Sequence, residues 1–368
     1  MTPKRIVVKL GTSTLTGGGP HLSRRAMLPV VTQAITLLEA GHHLTLVSSG
    51  AIAAGREVLG VSKVAPQLAG KQMLAAIGQP RLMQHWAELF GIYGRSVGQV
   101  LLTRGDLARR SGYLNARDAL EAMLGAGVVP IVNENDTIAT DEIRVGDNDN
   151  LSALVANLID ADLLILLSDI AGLYTADPRT HPEAQLVPQV ERLDESILAL
   201  ASGSGTALGT GGMRTKLQAA QLAGQSGTTT ILASGAQPDV LVRLLSGEPL
   251  GTRILPSATR RESRERWLLA ERPLGTVRVD AGAARRLREG SASLLPVGIT
   301  QVEGSFERGD AVRVLSAEGI ALVIGIAAYS AEELAQLRGV SSRQIADVLG
   351  YTYGDEAIHR DNLVLLSP

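Results

Sequence analysis

About the first two thirds of the chain alternate short apolar runs, rich in β-branched residues, with longer segments of helical periodicity. The short runs predict strands at 5–10, 44–48, 97–102, 128–132, 163–167 and 229–233. The longer segments predict helices at 24–40, 67–90, 115–125, 150–159 and 212–224. Strands that alternate with helices form βαβ units, in which helices cover both faces of a parallel sheet. The pattern therefore predicts an α/β fold, a three-layer sandwich around a mostly parallel sheet.

The pattern changes near residue 260. Residues 257–266 read SATRRESRER, a polar and charge-dense stretch that is typical of a linker. Beyond it the segments are short and punctuated by glycine, as in GTVRVDAG and RGDAVRVL, and this spacing of turn signals predicts a small β-rich barrel. We therefore expect a first domain at 1–256, a linker at 257–272 and a second domain at 273–368.

Composition narrows the class of protein. The formal net charge of −2 gives no overall attraction to nucleic acid or to anionic membranes. The absence of cysteine excludes disulfides, thiolate nucleophiles and cysteine-bound zinc. The first apolar run breaks at Lys9, too early for a signal peptide, and no later segment approaches the ~18 apolar residues that a membrane helix needs. We expect a cytoplasmic protein with no membrane segment.

Lysine is rare in this chain, and two lysines lie in glycine-rich segments. Only five of the 35 basic residues are lysine. Lys9 belongs to KLGTST, directly after the first predicted strand, and Lys216 belongs to GTGGMRTK, a glycine turn before a predicted helix. Backbone amides and a lysine at a helix N-terminus form a favourable site for phosphate. A compact ammonium can also follow a moving phosphoryl group as a point charge, which the rigid guanidinium of arginine does less well.

Two further loops follow predicted strands and could bind an anion. The segment VSSGAIAAG (47–55) reads as a strand, a turn of small residues and a helix, so Ser48 and Ser49 would lie at a helix N-terminus. Serine is also a common N-cap, and a cap and an anion site can coexist. The segment LLSDIAGLYTADPR (166–179) places Ser168 and Asp169 at the end of another predicted strand.

The segment 131–156 is unusually rich in short carboxylates and amides. Residues 133–136 (Asn-Glu-Asn-Asp) follow a buried predicted strand, a charged hairpin is expected next, and GDNDN (146–150) precedes an apolar helix. Such side chains can bind an ammonium group or hold Mg²⁺ through water. The EF-hand pattern fails because position twelve from Asp147 is Leu158. Turns and N-caps are the structural alternative, and we favour a binding site because two such clusters flank one hairpin.

Other catalytic schemes lack essential residues. The chain contains no Walker A loop, no dinucleotide-binding fingerprint, no HExxH motif and no GxSxG elbow. Phosphate-binding loops with two lysines and acidic residues, but without a nucleophile or general base, fit phosphoryl transfer to an acceptor that is already nucleophilic. A carboxylate acceptor needs no proton removed, so catalysis reduces to positioning and charge neutralisation.

A known family shares six segments of this chain in the same order: KLGTS, VSSGAIAAG, NENDT, GDNDNLSALVA, GLYTADPR and GTGGMRTK. These segments resemble the motifs of the bacterial glutamate 5-kinases of the amino acid kinase family, and the C-terminal segments resemble a PUA domain. The resemblance implies the amino acid kinase fold and ATP-dependent phosphorylation of the side-chain carboxylate of L-glutamate to L-glutamyl 5-phosphate, the first step of proline biosynthesis. It also implies Mg²⁺ as the metal that accompanies ATP, feedback inhibition by proline, and a homo-oligomer (dimer or tetramer).

The resemblance further implies roles for individual residues. The catalytic group would be Lys9, Lys216 and Asp149, with Asp149 orienting the two lysines. The residues that would bind glutamate are Ser49, Asn133, Asp136 and Asn148. The residues that would bind ATP are Lys9, Ser168, Asp169, Thr210, Gly211, Gly212, Met213, Arg214, Thr215 and Lys216. No side chain is assigned as a metal ligand, because Mg²⁺ would bridge the phosphates. Ser168 departs from the threonine that the family more often has, although the hydroxyl is kept.

Two other functions are open at this point. A related kinase that acts on aspartate, N-acetylglutamate or carbamate would share the sheet and the phosphate loops, although Asp136 with several asparagines favours a substrate with a free ammonium. An RNA-binding regulator that acts through the PUA-like domain is the second alternative. Residues 257–368 contain 14 arginines against 15 aspartates and glutamates. RNA binding is thus not favoured, because nonspecific RNA affinity needs a cationic surface.

Overall fold

The computed structural model describes residues 2–60, 67–139, 148–201, 212–259, 271–290 and 292–366, together with Glu262, Glu265, Leu268 and Leu269. The chain divides into two compact units, Met1–Arg260 and Arg261–Pro368. Each unit has its own sheet and its own buried core. In the described part of the chain, no helix is both long enough and apolar enough to cross a membrane.

Strands and helices alternate along the first unit. Its strands are β1 (Arg5–Leu10), β2 (His43–Ser48), β3 (Val97–Leu102), β4 (Val129–Glu134), β5 (Leu163–Ser168), β6 (Gln189–Val190), β7 (Thr229–Ser234) and β8 (Thr252–Ile254). Its helices are α1 (Thr12–Thr16), α2 (Arg24–Glu39), α3 (Ala51–Leu59), α4 (Leu68–Gly91), α5 (Arg104–Ala108), α6 (Arg110–Gly125), α7 (Asn148–Leu158), α8 (Glu195–Leu200), α9 (Met213–Gln225) and α10 (Val240–Leu245).

The sheet of the first unit is mostly parallel. In the described residues its strand order is β3-β4-β2-β1-β5-β7-β8-β6. The pairs from β3 to β7 are all parallel, whereas β8 pairs with β7 in the antiparallel sense. One core lies between the sheet and helices α2, α3, α4 and α10, and a second core lies between the opposite face and helices α5, α6, α7 and α9. The predicted three-layer α/β fold is confirmed.

The central strand β1 shows how its sequence serves both cores. Successive side chains of a strand point to opposite faces. Ile6, Val8 and Leu10 belong to the core beneath α2 and α4, and Val7 belongs to the core beneath α7 and α9. All four side chains are fully buried. Lys9 points to the same face of the sheet as Val7, so its ammonium group lies on the face that α7 and α9 cover.

Helices α3 and α4 pack unusually close together because glycines lie at their contact. A Cβ atom added to Gly55 on α3 would lie 2.0 Å from the carbonyl oxygen of Leu74. A Cβ atom on Gly78 of α4 would lie 1.8 Å from the carbonyl oxygen of Ala51. Any larger residue at either position would therefore force the helices apart. This contact holds α4 against the loop after β2.

Some predicted boundaries were wrong. Strand β4 was predicted to end at Val132, but it continues through Asn133 to Glu134, so Asn133 lies in the strand. Helix α7 begins at Asn148, two residues earlier than predicted, and α6 begins at Arg110 instead of residue 115. The charged hairpin predicted after Asp136 falls mainly on residues 140–147, outside the described residues.

The second unit contains a separate β-rich fold. Its strands are β9 (Gly275–Val279), β10 (Ile299–Gly304), β11 (Ala311–Leu315), β12 (Ala321–Ile326) and β13 (Leu363–Leu365). Its α-helices are α11 (Ala281–Arg288), α12 (Ala331–Gln336) and α13 (Ile345–Leu349), and short 3₁₀ helices lie at Pro296–Gly298, Ser342–Gln344 and Arg360–Asn362. In the described residues the strand order is β10-β9-β11-β12-β13, with β9 and β11 parallel and the other pairs antiparallel.

Candidate active site

Two lysines from distant parts of the sequence meet on one buried carboxylate. Lys9 Nζ lies 2.7 Å from Asp149 Oδ1, and Lys216 Nζ lies 3.2 Å from Asp149 Oδ2. Thr215 donates its hydroxyl to the same Oδ2 at 2.7 Å. Asp149 is fully buried and each lysine is only 6% exposed. The structure therefore brings together the three residues predicted to be catalytic, at the carboxyl end of β1 and the first turns of α7 and α9.

Burial and charge act in opposite directions in this cluster. Burial alone would raise the pKa of Asp149, but the ammonium groups of Lys9 and Lys216 outweigh it and lower that pKa to about 2. Burial lowers the pKa of Lys216, and the carboxylate of Asp149 partly offsets the effect. The cluster is thus a fixed negative charge that holds two positive charges. Its excess positive charge can attract an anion such as a phosphate group.

A second polar cluster contains three of the residues predicted to bind substrate. Asn148 Nδ2 donates to Ser49 Oγ at 2.9 Å and to Asn133 Oδ1 at 3.0 Å. Asn148 and Asp149 are neighbours at the start of α7, so this cluster adjoins the lysine cluster. Ser49 follows β2 directly, and the chain then turns sharply at Gly50 into α3; the φ of 106° at Gly50 favours glycine because other residues rarely adopt it.

Asp136 is the fourth residue predicted to bind substrate. It follows β4 and is half-buried. Burial raises its pKa to about 6. No hydrogen bond or ion pair to Asp136 is present among the described residues. A half-buried carboxylate without a cation is a suitable partner for a ligand ammonium.

Apart from Lys9 on β1, the described residues predicted to bind ATP lie at the end of β5 and around the start of α9. Ser168 is buried at the end of β5, and its hydroxyl donates to the exposed Asp169 at 3.0 Å. Helix α9 begins after Gly212, which provides no side-chain cap, and the first-turn amides of such a helix suit an anion. Met213 is buried and Arg214 is exposed. Thr210 and Gly211 lie outside the described residues.

Sequence analysis did not identify two residues that lie near the site. Gln79 on α4 accepts a hydrogen bond from Asn133 Nδ2 at 2.9 Å. Trp86, also on α4, donates through Nε1 to Ser48 Oγ at 3.1 Å, and Ser48 donates to the carbonyl of Ser49. A glutamine and a tryptophan inside a helix form no recognisable motif.

The described residues contain no group of three or more histidines, cysteines, aspartates or glutamates that could hold a metal ion. The only carboxylate of the lysine cluster, Asp149, already contacts two ammonium groups and a hydroxyl. Its oxygens are therefore poorly suited to bind a metal.

Comparison with known proteins adds to this geometry. Residues 4–234, more than half of the chain, match the amino acid kinase family. The chain belongs to the amino acid kinase family. Residues 275–349, in the second unit, match the PUA domain. The resemblance seen in the sequence motifs is thus confirmed for both units.

The curated relatives are similar over almost the whole chain. A glutamate 5-kinase of Photobacterium profundum is 53% identical over 368 residues, which are 100% of this chain and 97% of that protein. A glutamate 5-kinase of Herpetosiphon aurantiacus is 54% identical over 361 residues, 98% of each chain. Among solved structures, carbamate kinase from Giardia lamblia bound to AMP-PNP aligns with a TM-score of 0.51 and 16% identity. That alignment covers 69% of this chain and 99% of the carbamate kinase, and it supports the fold alone.

Proposed function

We propose that this protein transfers the γ-phosphoryl group of ATP to the side-chain carboxylate of L-glutamate, forming L-glutamyl 5-phosphate. The observation that carries the kinase activity is the buried pair of lysines on Asp149, at the strand ends where this fold places its ligands. The choice of glutamate rests on the names of relatives that are more than half identical over nearly the full length.

The lysine cluster would stabilise the transferring phosphoryl group. A carboxylate oxygen of glutamate attacks the γ-phosphorus, and the bond from that phosphorus to the β–γ bridging oxygen breaks, so the electron pair leaves on ADP. No proton is transferred, so the step needs no general base. Lys9 and Lys216 would neutralise the charge that spreads over the phosphoryl oxygens. Asp149 would hold both ammonium groups in place before ATP binds.

The nucleotide would bind on the β5 and α9 side of the site. The first-turn amides of α9 and the glycine-rich residues 210–212 before it suit the phosphates. Ser168 and Asp169, at the end of β5, would contact the nucleotide from the neighbouring strand. Thr215 donates to Asp149 and so would act through the lysine cluster.

Glutamate would bind on the β2 and β4 side. Ser49, Asn133 and Asn148 form one hydrogen-bonded cluster next to Asp149, which suits the polar groups of an amino acid. Asp136 would pair with the substrate ammonium, because it is an ionisable carboxylate near that cluster in the sequence and has no cation among the described residues. This arrangement favours glutamate over N-acetylglutamate, whose nitrogen carries no charge.

Mg²⁺ would accompany ATP and neutralise charge between its phosphate oxygens. The engagement of Asp149 with two ammonium groups argues that the phosphates, and not this carboxylate, supply the ligands. The family resemblance adds three proposed properties: a place at the first step of proline biosynthesis, inhibition by proline, and a homo-oligomer. A cytoplasmic location agrees with soluble substrates. RNA binding through the PUA domain stays a minor alternative because its charge is balanced.

A comparison of acceptors tests the proposal. Purified protein is assayed for ADP release with glutamate, aspartate, N-acetylglutamate and carbamate under the same conditions. We expect kcat/KM to be highest for glutamate by at least about 10²-fold, since an unpaired binding group costs a competing substrate several kcal/mol. A higher value for any of the other three acids would assign the chain to a different kinase of this family.

A further inference from the structure

A hydrogen-bonded series of amide side chains extends from the candidate glutamate site to an edge of the sheet. Gln79, on α4, is 8% exposed, and its Oε1 accepts from Asn133 Nδ2 at 2.9 Å. Gln79 Nε2 donates to Gln99 Oε1 at 3.1 Å, and Gln99 is exposed on the edge strand β3. At the other end, Asn133 accepts from Asn148, which also donates to Ser49. Gln79 therefore links an exposed strand to two residues predicted to bind substrate.

The direction of every hydrogen bond in this series of amide side chains follows from one backbone group. The oxygen and nitrogen of an amide side chain look alike, and only their partners distinguish them. The backbone N–H of Glu134 can only donate, and it donates to Asn133 Oδ1 at 2.9 Å. Asn133 Nδ2 must then be the donor towards α4, so Gln79 must present its oxygen. Gln79 is the side chain that satisfies this donor.

The consequence appears at Asn148. Its two Nδ2 hydrogens are both used, one on Ser49 and one on Asn133. Its Oδ1 is buried and has no hydrogen-bond partner among the described residues. A buried acceptor without a donor is unfavourable, and a ligand N–H group would relieve this cost. The series of amide side chains thus holds Asn148 Oδ1 as a hydrogen-bond acceptor at the candidate substrate site.

We propose that Gln79 is a positioning residue for substrate binding, which fixes Asn133 and Asn148 so that Asn148 Oδ1 accepts a hydrogen bond from the substrate ammonium. This inference rests on the proposed function, because it assumes that an amino acid binds beside Asn148. Gln79 itself touches neither the reacting atoms nor the lysine cluster in any described hydrogen bond.

Substitution of Gln79 by leucine would leave Asn133 Nδ2 without its acceptor. Asn133 could find another partner only by rotating, which would break its bonds to Glu134 and Asn148. We expect the KM for glutamate to rise about 5- to 30-fold, the range expected for one or two lost hydrogen bonds. The KM for ATP should stay within about twofold, because the phosphate side of the site keeps its contacts.

The experiment uses the full chain and three variants. Gln79→Leu removes the amide, and Gln79→Glu keeps an oxygen that can accept from Asn133. Gln84→Leu is the matched control, because Gln84 is an exposed glutamine on the same helix. We expect a selective rise in the KM for glutamate in Gln79→Leu, substantial recovery in Gln79→Glu, and wild-type behaviour in Gln84→Leu. Equal changes in both KM values, or no recovery in Gln79→Glu, would show that Gln79 serves packing alone.

Glutarate provides a second measurement, because it has both carboxylates of glutamate but no ammonium. Its inhibition constant should be almost the same for the wild-type chain and Gln79→Leu, and a parallel loss of glutarate and glutamate affinity would overturn the role in ammonium recognition. If Gln79→Leu fails to fold, Gln79→Met keeps the length of the side chain and carries the same expectation. A wild-type chain without turnover on glutamate would contradict the proposed function. An active wild-type chain with an unchanged KM in the leucine variant would contradict only the positioning role.

Discussion

Replacement of Asp149 by asparagine tests the lysine cluster most sharply. The substitution keeps the size of the side chain but removes the charge that holds Lys9 and Lys216. One amide oxygen can still accept, but the amide nitrogen would face an ammonium group or the Thr215 hydroxyl as a second donor. Two ammonium groups that are each 6% exposed would then lie close together without a counter-charge.

The expected loss of unfolding free energy follows from the burial of the two ion pairs. Removal of one partner from a buried ion pair costs about 3–5 kcal/mol of stability. The pKa of Asp149 gives a comparable figure, because its decrease from 3.8 to about 2 corresponds to roughly 2–3 kcal/mol. A lowered carboxylate pKa stabilises the folded state above pH 3.8, and this contribution is lost as the pH falls through 2. At pH 7 the full contribution is present, so the Asp149→Asn variant should lose about 2–5 kcal/mol of unfolding free energy.

The assay is urea denaturation at pH 7, with and without ATP, together with steady-state kinetics. ATP should stabilise the variant more than the wild type, because phosphates would supply the missing negative charge. The kcat should fall by about 10²-fold or more, since the lysines would no longer be held in position. Glu183→Gln is the matched control, because it makes the same chemical change at an exposed site. An Asp149→Asn variant with the stability and kcat of the control would refute the proposed role of this carboxylate.

Three further predictions follow from the structure. Lys216→Ala should lower kcat by roughly 10²–10³-fold, and Lys216→Arg should not restore kcat, because the rigid guanidinium replaces a compact ammonium. Steady-state turnover equal to that of the wild type in either variant would contradict the catalytic role of Lys216. Burial raises the pKa of Asp136 to about 6, so its carboxylate should lose its charge as the pH falls through 6; a pH series should then show a rising KM for glutamate in the wild type and a high, pH-independent KM in Asp136→Asn. A raised carboxylate pKa also lowers the stability of the folded state above pH 6, so Asp136→Asn should be at least as stable as the wild type at pH 7. A chain that ends at Thr259 keeps the backbone bonds Leu255–Val190 and Ser257–Gly224 and should fold and phosphorylate glutamate without the second unit; purification, sedimentation and turnover check this, and a soluble but inactive fragment would show that the second unit contributes to the site.

Much of the first unit could be predicted because its central strands are buried on both faces. Runs such as LLILL in β5 are apolar without interruption, and β1 was predicted with its observed bounds. Strands β6 and β8 contain only two and three residues, so they show no periodicity to detect. The first turn of α6 opens with Arg-Ser-Gly, which carries no apolar pattern.

The site was predicted less completely than the fold. Glycine-rich loops and rare lysines indicated phosphate chemistry, but a contact such as Lys216–Asp149 spans 67 residues and depends on how α7 and α9 pack. Asn133 was expected in a loop, and its place in β4 explains why its amide can reach α4. Gln79 could not be identified, because its importance comes from hydrogen-bond directions that no local pattern encodes.

The most direct test of the account is the product itself. The protein is incubated with ATP, Mg²⁺ and glutamate in the presence of hydroxylamine, which traps an acyl phosphate as a hydroxamate, and ADP is measured in the same reaction. We predict glutamyl hydroxamate in a one-to-one ratio with ADP, and both products formed roughly 10²–10³ times more slowly in the Lys216→Ala variant. ADP release without hydroxamate, or hydroxamate formed equally well from aspartate, would contradict the proposed transfer to the side-chain carboxylate of glutamate.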